Sequence, residues 1–286
     1  MKKGLTLVAV SVSFLINMVL WNVSNARANE GQPLFRGIHP VVNSCHRLLG
    51  GIVDGRWLNQ EEMAKLLNGE EIYKFYSQTK EIGEARGSKA KKEVYISGEQ
   101  GYFLNFGLLL PEEAFGISAE WNPLPRVPRV YTNQLDLASF LPLVKSLLDR
   151  EDRNVDGLYV KEALTVDLEG DGQLETIIVS TNIRDKDIEA ISKERSILAS
   201  GFFSSVVLFR NGASDAFFLA DDSKLVSYYS VPFVSDVDGD GIMEVYIVKT
   251  SLIAIPTFGF ALMDEQILKV EGNQIKMMLR MFTNRT

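Results

Sequence analysis

The sequence contains a single cysteine and only two histidines among its 286 residues. One cysteine excludes an internal disulfide framework, and two histidines leave little material for Ser-His-Asp catalysis, which uses a histidine as its general base. The chain also lacks the nucleophile-elbow motif Gly-x-Ser-x-Gly and the phosphate-binding motif Gly-x-x-x-x-Gly-Lys-Ser/Thr. Its formal net charge of −7 argues against a nucleic-acid partner, because a surface that binds nucleic acid has to be basic.

What is present is an ordinary globular composition, with 46% hydrophobic and 23% charged residues. The first 28 residues predict a secretory signal peptide, because Met1–Lys3 is basic, residues 4–21 are mostly apolar, and Ala26-Arg27-Ala28 fits a signal peptidase site. Cleavage after Ala28 removes basic residues and no acidic one, so the processed chain is still more acidic. We therefore expect a secreted or extracytoplasmic protein without a stable membrane span after cleavage.

Residues 29–130 predict a small N-terminal α+β region. Its beginning, up to about Gly55, is expected to be mostly irregular, and Asn59 is expected to cap a helix that ends at Asn68-Gly69. Alternating apolar residues then predict short strands, whereas Gly83–Lys92, which is charged and interrupted by glycines, predicts a loop.

Residues 131–286 predict a β-rich domain. The prolines between Trp121 and Pro128 make a stiff connector before it, and a helix over Leu135–Arg150 is expected to be limited or kinked by Pro142. Strand signals then dominate, in residues 164–166, 175–180, 205–210, 216–219, 244–250, 259–263 and 274–279. The predicted fold class is therefore α+β, with a small α+β region followed by a mainly antiparallel β region.

The feature that carries chemistry is a nine-residue pattern that occurs twice, at Asp167–Glu175 and at Asp236–Glu244. Each copy has acids at positions 1, 3, 5 and 9 and glycine at positions 4 and 6, and each is followed by an aliphatic strand segment. The glycines permit a tight turn, which brings carboxylates together, and Ca²⁺ binds about six to eight oxygens. We therefore predict two Ca²⁺ sites. The expected ligands are Asp167, Glu169, Asp171, the Gln173 carbonyl and Glu175 in the first loop, and Asp236, Asp238, Asp240, the Ile242 carbonyl and Glu244 in the second.

Neither loop is an EF-hand. An EF-hand loop has a bidentate glutamate at position 12 and leads into a helix, whereas position 12 here is Ile178 or Ile247 and the following segment is strand-like. Mg²⁺ suits the loops less well, because it tends to keep its water ligands. The alternative interpretation is a pair of acidic β-turns that bind no ion.

The pattern Asp-x-Asp-Gly-Asp-Gly-x-x-Glu before an aliphatic strand resembles the calcium loop of FG-GAP/VCBS repeats, which join strands of β-propeller blades in integrin α chains and in many secreted bacterial proteins. The resemblance implies that the ten positions named above hold calcium. Glu169 stands where Asp or Asn is usual, which implies a weaker first site, and the Phe-Gly…Gly-Ala-Pro signature is absent. A closed propeller has about four to eight blades, so two repeats imply two blade-like sheets packed together.

A wider resemblance covers most of the processed chain. The sequence Gly55-Arg56-Trp57-Leu58, the Trp121–Pro128 connector, the helix after it and the paired loops are similar in layout to a group of secreted bacterial proteins. This resemblance implies no activity.

Two functions are compatible with these patterns. The first is a secreted, calcium-stabilised interaction module that binds a protein, a glycan or a cell-wall component. The alternative is a secreted hydrolase with structural calcium and an active site in residues 29–130. A separate metal site at His39, Cys45 and His46 is not favoured, because a structural site needs about four ligands, and we expect these residues to pack within a loop.

Overall fold

The computed structural model describes residues 37–94, 100–111, 113–153, 155–184, 201–210, 215–223, 226–254 and 259–285. The predicted signal peptide and its cleavage site lie outside these ranges. Within them, no helix has both the length and the apolar character needed to cross a membrane.

The first part of the chain forms a six-stranded antiparallel sheet in the order β3-β2-β1-β8-β4-β5, which we call the N-terminal sheet. Its strands are β1 (Ile38–Asn43), β2 (Leu48–Val53), β3 (Arg56–Asn59), β4 (Ile72–Tyr76), β5 (Glu81–Arg86) and β8 (Phe115–Ile117). A separate two-stranded ribbon consists of β6 (Lys91–Val94) and β7 (Gln100–Phe103).

Two predictions for this part are wrong. The described part of the segment before Gly55, residues 37–54, is not mostly irregular, because β1 and β2 pair there. The chain then turns into β3 at Asp54-Gly55, where both residues have positive φ (48° and 75°). Asp-Gly is a strong hairpin signal for this reason. The loop predicted over Gly83–Lys92 contains the end of β5 and the start of β6; β5 lies at a sheet edge, so its charged side chains remain in water.

Local helix signals predicted the helix starts well. Helix α1 (Gln60–Ala64) begins after Asn59, whose side chain accepts hydrogen bonds from the backbone N–H groups of Glu61 and Glu62. It ends before Asn68-Gly69, sooner than expected. The segment predicted as one helix with a break is two helices, α2 (Gln134–Ser139) and α3 (Leu141–Arg150), and Pro142 lies in the first turn of α3, where its missing N–H costs little.

Two further antiparallel sheets complete the fold. The middle sheet contains β9 (Arg129–Tyr131), β10 (Tyr159–Val166), β11 (Glu175–Thr181), β12 (Ser204–Arg210) and β13 (Asp215–Asp222). The last sheet contains β14 (Ser227–Ser235), β15 (Glu244–Ala254), β16 (Gly259–Glu271) and β17 (Gln274–Arg285). In each sheet four consecutive strands pair as a simple meander, and β9 adds to β10. The prediction of a mainly antiparallel β region is confirmed, and the strands in the described ranges form no closed ring of blades.

The main hydrophobic core contains residues from all three large sheets. Phe115 of the N-terminal sheet stacks on Phe233 of the last sheet with 4.0 Å between ring centroids, and Phe233 stacks on Tyr246. Beside these rings the buried Glu265 carboxylate is bound by Arg47 and by the Tyr246 hydroxyl. The N-terminal sheet is thus joined to the last sheet through both apolar and ionic contacts.

Candidate metal centre

Both acidic loops occupy the same place in the topology. The first joins β10 to β11 and the second joins β14 to β15, so each is the first hairpin connection of a four-stranded meander. The glycines at positions 4 and 6 have φ between 74° and 89° in both loops, a conformation in which a side chain is strained.

The two loops share one hydrogen-bond framework. In the second loop the Asp236 carboxylate accepts from the N–H groups of Gly239 (2.8 Å) and Gly241 (3.0 Å), and Glu244 accepts from Val237 (2.7 Å). The first loop repeats these contacts with Asp167, Gly170, Gly172, Glu175 and Leu168. Residues Gln173 and Ile242 donate their N–H groups to the aspartates at position 5; their carbonyls as ligands stay a prediction.

The second loop gathers its carboxylates into a buried group. Ligand atoms of Asp236, Asp238 and Glu244 all lie within 4.8 Å of one another. Glu244 is completely buried, and its Oε1 accepts no hydrogen bond of good geometry. Burial raises the pKa of Asp236 to about 6, with the Asp238 carboxylate adding to the effect, and burial also raises the pKa of Glu244 well above its usual value.

A side-chain cation lies inside this group. The Nζ of Lys269, on β16, is 3.0 Å from Asp238 Oδ2 and 3.2 Å from Glu244 Oε1, and it also contacts Asp240. Lys269 is only 3% exposed. Burial by itself would lower the pKa of its ammonium, but the surrounding carboxylates outweigh burial and raise it, so Lys269 is a buried cation.

The first loop is arranged differently. The Glu169 carboxylate turns away from the loop to Arg210 Nη2 (2.7 Å) and to the N–H of Gly272 (2.7 Å). Burial raises the pKa of Glu175, although the Leu168 N–H and Arg210 counteract it. All residues of this loop are described, and they form no group of three convergent ligands like that of the second loop.

Arg210 and Lys269 are equivalent residues in the two sheets. The β11–β12 register pairs Thr176 with Phe209, and the β15–β16 register pairs Val245 with Leu268. One residue further along each strand pair, Arg210 lies opposite Glu175 and Lys269 lies opposite Glu244. These two glutamates occupy position 9 of their loops. Neither cation could be predicted from the motif, because the residue that lies opposite a glutamate on the next strand depends on the strand register, which the motif does not contain.

The connector binds both loops together. The Arg126 guanidinium donates to the carbonyls of Asp167 and Leu168 in the first loop and of Gly241 in the second. A backbone hydrogen bond from the Met243 N–H to the Leu168 carbonyl oxygen (2.8 Å) also joins the loops directly. The two loops are therefore a single structural unit.

Two tryptophans extend this unit to the rest of the fold. Trp121 of the connector donates its indole N–H to the Asp236 carbonyl (2.9 Å), and Trp57 of β3 donates to Asp238 Oδ2 (3.3 Å). The acidic loops therefore lie where the middle sheet, the last sheet and the N-terminal part meet.

The second loop fits a hard cation such as Ca²⁺ on two observations. First, all of its candidate metal ligands are oxygens, which hard cations prefer, and one of them is the buried Glu244 Oε1 described above. Second, the Lys269 ammonium lies between the carboxylates, so the group accommodates a positive charge. The ion would be held by Asp236, Asp238, Asp240 and Glu244. The same oxygen donors suit hard cations in general.

Other candidate sites lie elsewhere. His39 donates its Nδ1–H to the carbonyl oxygen of Ser118 (2.9 Å) and packs edge-on against Trp121, while Cys45 is exposed. A cavity of about 730 Å³ lies between the N-terminal sheet and the two later sheets, rather than within residues 29–130 alone. Its polar lining includes Cys45, Gln78, Glu113, Tyr131, Glu162 and Tyr228.

Comparison of the chain with models of protein families, with curated proteins and with solved structures found no significant match.

Proposed function

We propose that this protein is an exported, calcium-stabilised binding module whose second acidic loop, Asp236–Glu244, holds the ion. The observation that carries the proposal is the convergence of Asp236, Asp238 and Glu244 within 4.8 Å in a buried site. Carboxylates that close together repel each other in a medium of low dielectric, so a divalent ion among them favours the folded loop.

The position of the loop suggests what calcium would do. Trp57 and Trp121 connect the second loop to the N-terminal sheet and to the connector, and Leu168 connects it to the first loop, which belongs to the middle sheet. An ion at this junction would fix the three parts relative to one another and so hold a binding surface in shape.

The two meanders, each with an acidic loop at its first hairpin, support an FG-GAP/VCBS-type pair of blades.

Differential scanning calorimetry in EDTA and in about 10–100 mM Ca²⁺ tests the proposal, because these concentrations are about 100 times the Kd of about 10⁻⁴–10⁻³ M with which extracellular modules bind Ca²⁺. At about 100 times Kd, binding stabilises the folded state by about 2.7 kcal/mol, which raises Tm by several degrees in a protein of this size. The same shift with Mg²⁺ would indicate a site that is not selective for calcium.

The matched variants are Asp236→Asn and Asp222→Asn. Asp236 belongs to the acidic group, whereas Asp222 is a buried carboxylate that pairs with Lys249 outside both loops. The first change should abolish the Ca²⁺-dependent shift and the second should keep it. Identical transitions of the unmodified protein in EDTA and in Ca²⁺ would refute the proposal.

The module is proposed to bind a protein, a glycan or a cell-wall component. A partner that depends on the calcium-fixed junction should bind in Ca²⁺ and be released by EDTA.

A further inference from the structure

We propose that Lys269 is a built-in competitor of calcium: its ammonium occupies the cation position of the second acidic loop, and calcium binds only when this ammonium leaves. The inference rests on the proposed function and adds its regulation.

The contacts of Lys269 Nζ are those expected of a bound cation. It approaches carboxylate oxygens of three different residues, Asp238, Asp240 and Glu244, and two of these contacts are 3.0 and 3.2 Å long. These three residues are also predicted metal ligands. The ammonium therefore contacts the same carboxylates that would bind Ca²⁺, so it lies within the proposed ion site and not beside it.

Calcium and the ammonium exclude each other at this place. An ion at about 2.3–2.6 Å from these oxygens would lie within a few ångströms of Nζ, where two positive charges repel strongly. The Asp240 side chain is 34% exposed, so the flexible lysine stem has a route to water on that side. In this proposal, Ca²⁺ replaces the ammonium when the Lys269 side chain moves out of the carboxylate group toward solvent.

The first loop supports the assignment of this role to Lys269. Arg210 occupies the equivalent position on β12, but its guanidinium is held by Glu169 and by the carbonyl of Gly272. Both repeats thus place a cation opposite the position-9 glutamate, and only Lys269 reaches into the carboxylate group. A basic residue at this position lets each hairpin close without a metal ion.

The inference is tested by comparing Lys269→Met with Lys249→Met. Lys249 also forms a largely buried ion pair, with Asp222, but it lies outside the acidic loop. Isothermal titration calorimetry should show Ca²⁺ bound at least tenfold more tightly by Lys269→Met than by the unmodified protein, whereas Lys249→Met should bind as the unmodified protein does. The Tm of Lys269→Met in EDTA should fall, and Ca²⁺ should restore it.

A second measurement covers the case in which Lys269→Met does not fold. Acetic anhydride labelling of the unmodified protein, read by mass spectrometry, should modify Lys269 slowly in EDTA, because it is buried, and much faster in saturating Ca²⁺. Lys269→Arg, which keeps the charge, should not gain the tenfold affinity of the methionine variant.

The outcomes separate this inference from the proposed function. If only Lys269→Met binds Ca²⁺, the competitor role is supported and the proposed function fails. If the unmodified protein binds Ca²⁺ equally well and labelling of Lys269 does not change, the proposed function stands and the competitor role is overturned. If neither protein binds Ca²⁺, both fail.

Discussion

At the residue scale, the two loops have the same motif but different surroundings at position 8. Met243 is completely buried, whereas the equivalent Leu174 is 66% exposed. The difference follows from the direct contact between the loops, since the backbone of Met243 bonds to Leu168 and its side chain enters the main core. The second loop is thus embedded in the fold and the first lies at its surface.

This contrast gives a prediction with its control inside the same molecule. Met243→Ala should lower the free energy of unfolding by about 2–5 kcal/mol, as expected for a buried large-to-small change. Leu174→Ala should change it by no more than about 0.5 kcal/mol. Urea denaturation followed by tryptophan fluorescence measures both, and equal losses would contradict the packing described for the second loop.

The acidic positions of the candidate site could be predicted from sequence because the motif places them within one tight turn. Lys269 and Arg210 could not, since each is brought to its loop by strand pairing with a partner far away in the chain. Arg126 could not be predicted either: the prolines around it indicated a connector, and the carbonyls that it binds become neighbours only in the folded molecule.

At the scale of elements, capping and turn residues predicted some boundaries and tertiary packing decided others. Asn59 and Pro142 act through their nearest neighbours, so their effects could be predicted. Strand β14 was not predicted, because Pro232 interrupts it; the structure accommodates the proline where the β14–β15 register shifts between Ser230 and Phe233.

The strands β10 and β14, which belong to different sheets, are joined by Glu162. Its carboxylate on β10 accepts the N–H of Val231 on β14 (3.0 Å), and burial raises its pKa above the usual 4.5. A carboxylate with a raised pKa in the folded state binds its proton more tightly there than in the unfolded state. This group therefore makes stability fall as pH rises from about 4.5 through the folded-state pKa.

Glu162→Gln should remove this contribution while it keeps an acceptor for Val231. In EDTA, the Tm of the variant should decline less between pH 4.5 and neutral pH than that of the unmodified protein. Glu84→Gln, on the exposed edge strand β5, is the control and should leave the profile unchanged. A variant profile parallel to the original would show that Glu162 does not titrate differently on folding.

At the scale of the whole molecule, a buried ionic network joins the beginning of the described chain to its last sheet. Glu265 is bound by Arg47, by the Tyr246 hydroxyl and by Asn43 Nδ2 (3.1 Å). Both charged side chains are largely buried. Packing between the N-terminal and last sheets could not be predicted from sequence, because neither partner lies in a recognisable motif.

Glu265→Gln should therefore lower the free energy of unfolding by about 3–5 kcal/mol, because it removes the carboxylate from a buried guanidinium. Glu61→Gln breaks an exposed pair with Lys65 and should have no measurable effect. Chemical denaturation should show one transition for both variants if the sheets unfold together. A separate early transition in Glu265→Gln would mean that the N-terminal sheet unfolds independently.

The strand order of the last sheet also affects how the molecule is assembled. The ribosome makes the second acidic loop before it makes Lys269, so the carboxylates have no ammonium beside them until β16 folds back onto β15. During that interval the nascent hairpin is open to any divalent ion in its surroundings. The medium in which the chain folds would then decide which cation the sheet first closes around, and a chain that folds without calcium should close around the Lys269 ammonium.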